Sequence, residues 1–261
     1  MITGNSEEEY SAYVVGKYLN NKNNLKLLSP GCGTGVKEIK FSYFKNFSTI
    51  EAFDLSTQRI SFAKKNAEEI GIKNIVFFVS DVESFNFEKN KYDVVLFDSF
   101  LHHIKNLDDV LTKVHLSLKE DGILIISNEY VGPSRFQWSN EQLKISNNTL
   151  RNLPTSFTKR WQNNSVKTRI YRPGVLRMIM SDPSESVNSE NILPEIHKRF
   201  KILEEKSIGG NILHLVLKDI SHNFVSGSEE SIQLLQRLFK IEDEFLAAGN
   251  KSDFIFGVYS K

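Results

Sequence analysis

The chain has 261 residues, 40 % apolar and 25 % charged, and its 33 Lys+Arg against 32 Asp+Glu leave a formal charge of +1. That balance argues against a uniformly basic nucleic-acid coat and against an acidic disordered chain. No apolar run reaches the ~18 residues of a membrane span, and residues 1–10 are too acidic and polar for a secretory signal. The single cysteine, Cys32, excludes an internal disulfide framework and a cysteine-built zinc site. A cytoplasmic location and no metal are expected.

A first helix is expected over residues 1–20, with Tyr10, Tyr13 and Val14 turned inward. Residues 25–29 form a short apolar run ending in a glycine cluster, which reads as a buried strand. Residues 36–44 follow at helical spacing, and 49–55 read as the next strand. The segment 57–70 sets Ile60, Ala63, Ala67 and Ile70 on one face and stops at Gly71. Residues 75–79 and 92–97 are strand-length runs. A helix from Leu107 carries Val110, Leu111, Val114 and Leu118 inward as far as Asp121-Gly122, and 123–126 make a fifth buried strand. Five apolar strands separated by helices predict an α/β fold, a parallel sheet covered on both faces.

After Val131 the rhythm breaks. Helical pieces at 141–153, 174–180 and 192–200 are interrupted by Pro154, Pro173, Pro183 and Pro194, as expected of a helical insertion lying over the sheet. Residues 200–208 return to strand and end at Gly209-Gly210, while 212–220 fit strand or helix equally. An amphipathic helix through Ile232, Leu235, Leu238, Phe239 and Phe245 closes at Gly249, and 253–259 form a last strand. The expected division is a capping helix at 1–24, a core at 25–132, a lid at 133–199, and 200–261 completing the core sheet.

The first strand runs into Gly31-Cys32-Gly33-Thr34-Gly35, where glycines permit positive φ and close approach of a ligand. Asp54 stands 19 residues after Gly35, at the carboxyl end of the neighbouring strand, where a carboxylate can accept both hydroxyls of a ribose. Ser56 suits the N-cap of the following helix better than Asp54 does. The loop is not the dinucleotide pattern, because Gly33 and Gly35 are one residue apart and that pattern needs two. Two Tyr-x-x-x-Lys strings, at Tyr13/Lys17 and Tyr18/Lys22, precede the loop, in the wrong order for reductase chemistry. A hydrolase triad lacks its Gly-x-Ser-x-Gly elbow.

The glycine loop, the strand ending in Phe53-Asp54-Leu55-Ser56, the string Ser80-Asp81-Val82, and the run from Tyr92 through Asp98 to Leu101-His102-His103 together resemble the class I S-adenosylmethionine-dependent methyltransferases. The resemblance covers residues 25–131. It implies a doubly wound, mostly parallel seven-stranded sheet with an antiparallel C-terminal strand and a helical insertion after the fifth strand. It also implies S-adenosylmethionine as cofactor and S-adenosylhomocysteine as product. By position, Gly31, Cys32, Gly33, Thr34 and Gly35 would pass under the methionine part. Asp54, followed by Leu55, would hold the ribose, Asp81 and Val82 would meet the adenine, and Asp98 would border the methionine amino group. Strings at 129–138, 182–185, 209–214, 221–224 and 252–254 resemble a bacterial methyltransferase family found among glycan-building enzymes.

Methyl transfer from a sulfonium is an in-line displacement, so positioning dominates, and a hydroxyl acceptor must lose a proton. His102, His103 and Glu129 leave the fourth and fifth strands at the carboxyl edge and are the catalytic candidates. Adjacent histidines are expected to point in different directions, leaving one to act. Asp182 and Glu185 flank Pro183 and read as a turn or helix start. His115 and His197 read as packing or surface groups, and His214 and His222 as candidates to line the acceptor pocket rather than to act in catalysis. Between Pro133 and Met180 nine basic residues face Glu141 alone, and both tryptophans, Trp138 and Trp161, lie there. Basic residues among aromatics suit an anionic acceptor, with Arg135, Trp138 and His214 as substrate contacts. The favoured reading is O-methylation of a sugar or other small polar, anionic acceptor of small-molecule or glycan type. N-methylation, an RNA or protein acceptor, and a non-catalytic cofactor-binding subunit are the alternatives. The sequence leaves the oligomeric state open.

Overall fold

The computed structural model describes residues 2–5 and 7–261. Seven strands form one sheet: β1 (Leu25–Pro30), β2 (Phe47–Asp54), β3 (Ile75–Val79), β4 (Tyr92–Asp98), β5 (Leu118–Tyr130), β6 (Lys201–Gly209) and β7 (Phe254–Ser260). Their order is β3-β2-β1-β4-β5-β7-β6. The first five strands pair in parallel, whereas β7 runs antiparallel to both β5 and β6. This is the sheet the sequence predicts.

The continuous apolar strands follow from burial on two faces. On β4, Val94 and Leu96 pack into the layer formed with the N-terminal helix α1 (Tyr10–Val14) and with α2 (Val36–Ser42). Val95 and Phe97 point to the opposite layer, against α4 (Leu107–Ser117) and α7 (Ile192–His197). The helix α3 (Thr57–Glu69) covers the β2–β3 edge through Ile60, Ala63 and Ala67. It starts at Ser56, whose hydroxyl accepts the Arg59 N–H, and stops before Gly71 at φ +75°.

Several boundaries differ from the sequence reading or are settled where it left them open. The first helix begins at Tyr10 and continues as a π-helical turn, Val15–Leu19; its expected positions Met1 and Ser6 lie outside the described residues. The α4 helix ends at Ser117, not at Asp121-Gly122, because Leu118 turns extended and pairs with Tyr92 across the sheet. The ambiguous stretch at 212–220 is the helix α8 (Leu213–Leu217), because Glu242 accepts the N–H groups of Asn211, Ile212 and Leu213 at its start.

The lid helices α5 (Asn140–Arg151) and α6 (Val175–Ser181) do not form a core alone. Trp138, Leu150, Phe157 and Ile170 pack with Leu215, Val216, Leu234, Leu238 and Phe245 of α8 and α9 (Glu229–Ala247). The C-terminal helices thus pack against the inserted helices as well as against the sheet. One latch joins the inserted helices to the sheet, Gln142 Nε2 of α5 donating to Asp253 Oδ2 (2.7 Å), and beside it Gly209 N–H donates to Ser252 Oγ (2.9 Å) and Asp253 N–H to Asn211 Oδ1 (3.1 Å). Among the described residues no helix is long and apolar enough to cross a membrane.

Candidate active site

The glycine loop is stitched to the end of β2. Gly31 and Cys32 donate their N–H groups to Phe53 O at 2.7 and 3.0 Å, and Gly33 donates to Asp54 Oδ2 at 3.0 Å. A side chain at Gly31, held at φ +71°, would begin 2.1 Å from the Phe100 ring, so the loop packs only as glycine. At Gly33 the same point faces open space. Asp54 is 8 % exposed and also accepts the Ser56 N–H at 2.8 Å. A carboxylate has about four acceptor positions, so about two remain for a diol.

A cavity of about 400 Å³ opens there, lined by Gly31, Asp54, Leu55, Asp81, Val82 and His103, among others. Five of the ten predicted cofactor residues thus face one space. Phe100 and Ser80 line it too, without a spacing signal that would single them out. Asp98 lies apart, accepting the Tyr10 hydroxyl at 2.9 Å with Lys37 Nζ at 3.8 Å. Burial raises its pKa against the charge of Lys37. Glu38, which the sequence reading passed over, is wholly buried and accepts the Ser29 hydroxyl at 2.6 Å; burial pushes its carboxyl up to about 7. Burial beside Glu38 and Asp54 also pushes the Cys32 thiol far up.

After β4 the chain passes through Ser99 at φ +53° into a 3₁₀ turn, Leu101–His103. Glu129 holds that turn. Its fully buried carboxylate accepts the N–H groups of Phe100 (2.9 Å), Leu101 (3.0 Å) and His102 (3.0 Å), and contacts His102 Nδ1 at 2.7 Å. With those oxygens engaged inside the protein, Glu129 orients His102. The two histidines do not diverge as expected. A 3₁₀ turn sets their rings on one side, with centroids 4.3 Å apart. Burial works against the charged form of His102, but Glu129, Glu185 and Asp182 outweigh it and raise the pKa. Burial and the His102 charge lower that of His103.

The turn at 182–185 closes over both rings. His103 Nδ1 meets Ser184 Oγ at 3.2 Å, and Glu185 Oε1 stands 3.8 Å from His102 Nε2. Arg135 fixes this turn from the lid side, donating to the carbonyls of Asp182 (3.4 Å), Pro183 (2.6 Å) and Glu185 (2.9 Å). Its guanidinium is thus engaged by backbone, while Trp138 and His214 do line a cavity. That second cavity, about 660 Å³, is bounded by Arg160, Lys167, Arg169, Arg172, Arg177 and Lys218 against two carboxylates, Glu185 and Asp219. Arg160 pairs with Asp219 at 3.3 Å, and Lys167 donates to the carbonyls of Leu215, Val216 and Lys218. Burial lowers Lys167 to about 8, and burial with the nearby lysines lowers His214 to about 4. Trp161 is exposed on the surface, and His115 packs edge-on against Phe200.

A family model described as "Methyltransferase domain" matches residues 21–214. A malonyl-[acyl-carrier protein] O-methyltransferase of Bacillus cereus is 31 % identical over 104 residues, 40 % of this chain and 37 % of its own length. The chain thus spans under two fifths of that relative. Among solved structures, phosphoethanolamine N-methyltransferase 2 of Haemonchus contortus, in complex with S-adenosyl-L-methionine, superposes with a TM-score of 0.59 at 15 % identity, over 97 % of this chain and 52 % of its own. The [4+2]-cyclase SpnF superposes at 0.56 and 15 % identity, over 97 % and 79 %. The fold therefore hosts more than one chemistry, and the site must carry the assignment.

Proposed function

The chain belongs to the methyltransferase-domain family, and from that premise we propose that it is a class I S-adenosylmethionine-dependent methyltransferase that O-methylates a sugar or other small polar acceptor bearing an anionic group. The open space beside Gly33 and the spare acceptor positions of Asp54 suit the cofactor's methionine and adenosine halves. Asp54 takes the ribose, Asp81 and Val82 the adenine, and the 31–35 loop the methionine portion. When bound, S-adenosylmethionine supplies an electrophilic methyl group on a cationic sulfur.

The carrying observation is that two cavities share one wall. Asp182 and Ser184 line the 400 Å³ side and Glu185 the basic 660 Å³ side, with His103 bordering the first. An acceptor anchored by its anion in the basic cavity brings a hydroxyl to that wall, where His102 and His103 serve the proton it must lose. Glu129 acts through His102 as a positioning residue. The relative in B. cereus bears the name of an O-methyltransferase, which favours oxygen as the attacking atom.

The test is methyl transfer from labelled S-adenosylmethionine to neutral sugars, phosphorylated or nucleotide-linked sugars, and a short RNA. Transfer to the anionic small molecules supports the reading. Transfer to RNA alone overturns the acceptor class, and cofactor binding without transfer to any of the acceptors supports the non-catalytic alternative.

A further inference from the structure

The wall between the cavities gathers more than a proton site. One ligand atom each from His102, His103 and Glu185 lies within 4.8 Å of the others. The 3.8 Å between His102 Nε2 and Glu185 Oε1 is too long for a hydrogen bond. It is a span that two ligands about 2.1 Å from one ion can share.

Both rings are held from behind. The Glu129 carboxylate takes the His102 Nδ1–H at 2.7 Å. The Ser184 hydroxyl gives its own proton to Asp182 Oδ1 at 2.6 Å, so at the 3.2 Å contact His103 Nδ1 is the donor. Each neutral ring then keeps an Nε2 lone pair, the tautomer of a carboxylate–histidine–metal array. Arg135 immobilises the turn that carries Glu185. Glu129, Asp182 and Glu185 gather around the two rings, negative charge that a divalent cation would compensate.

We propose that His102, His103 and Glu185 bind one divalent first-row metal ion, with open positions toward the acceptor. Two imidazoles and a carboxylate suit zinc, cobalt or manganese, and three protein ligands leave room for a water or hydroxyl. The site revises the expectation of no metal, which rested on the lack of cysteines. It depends on the methyltransferase reading for its consequence alone: a hydroxyl on such an ion gives its proton to water more readily, and the histidines are then ligands.

The experiment uses the full chain, stripped with a chelator and titrated with Zn²⁺ by calorimetry and with Co²⁺ by visible absorption. One ion per chain is expected. His103→Ala and Glu185→Gln, both on the partly exposed rim, should each weaken binding about tenfold or more. His197→Ala, beside Glu205 on the surface, should leave it unchanged. Thermal melts of the stripped variants verify that each is folded. No binding at up to ~1 mM ion, or affinity retained in both rim variants, overturns the site. S-adenosylhomocysteine is titrated into the same samples: its binding without any ion binding overturns the metal site alone. Ion binding without S-adenosylhomocysteine binding supports the metal site and overturns the cofactor reading.

Discussion

The sheet edge and the lid meet at one wall, yet they are built differently. On the sheet side the frame is held by backbone hydrogen bonds: Gly31, Cys32 and Gly33 hang on Phe53 O and Asp54, and a single carboxylate, Glu129, gathers three consecutive N–H groups. On the lid side the surface is side chain, assembled from Phe136 to Lys218 by residues more than 80 positions apart. A backbone-built site needs particular residues at fixed short spacings, whereas a side-chain-built site needs only the right charge somewhere nearby. The first half should therefore break sharply under single substitutions, and the second should weaken gradually.

The largest expected effect is at Glu129. Glu129→Ala leaves two buried N–H groups, the part-buried Phe100 N–H and the His102 ring unpartnered, and should cost about 3–5 kcal/mol in urea unfolding. Glu129→Gln, which keeps shape and one acceptor, should cost less. A loss below ~1 kcal/mol for the alanine variant would remove the backbone-built half of the contrast.

The lid's latch gives the next effect, and it is pH-dependent. Burial pushes the Asp253 carboxyl up to about 7, with the Glu242 charge adding and the Gln142 hydrogen bond opposing. A folded pKa above the unfolded value means that the contribution is full below about pH 4. It is lost as pH rises through about 7, at a slope of at most about 1.4 kcal/mol per pH unit. Glu38, also raised to about 7 by burial, acts with the same sign on the sheet side. Asp253→Asn keeps an acceptor for Gln142 and should melt higher than wild type at pH 8, with the gap closing toward pH 5. A gap independent of pH would contradict it.

Asp54→Ala should raise the dissociation constant for S-adenosylhomocysteine about tenfold or more, roughly 1.4 kcal/mol. Arg177→Gln in the basic cavity should do least, raising KM for an anionic acceptor about fivefold, ~1 kcal/mol, with no change in cofactor affinity. An Arg177 effect larger than that of Asp54 would invert the contrast.

Legibility in the sequence follows the same divide. The five parallel strands were readable because two-sided burial makes continuous apolar runs, as on β4 and β5. Gly31, Asp54, Leu55, Asp81 and Val82 line one cavity, and a place at the end of a strand marks each of them in the sequence. The convergence of His102 with His103 was not, since it depends on a 3₁₀ turn set by Glu129 from another strand. Nor was Arg135, a cation at a promising place whose donors are engaged by the 182–185 carbonyls. The glycine-rich string at 209–214 and Ser252-Asp253-Phe254 pair with each other beside Gln142, and a side chain at Gly210 would begin 2.3 Å from the Phe254 ring. Such pairings join residues far apart in sequence, where no periodicity marks them.

The most direct measurement is calorimetric titration of the full chain with S-adenosylhomocysteine, beside Asp54→Ala. One site per chain, weakened about tenfold or more by the substitution, is predicted. Absence of binding to the folded wild-type protein would contradict the account.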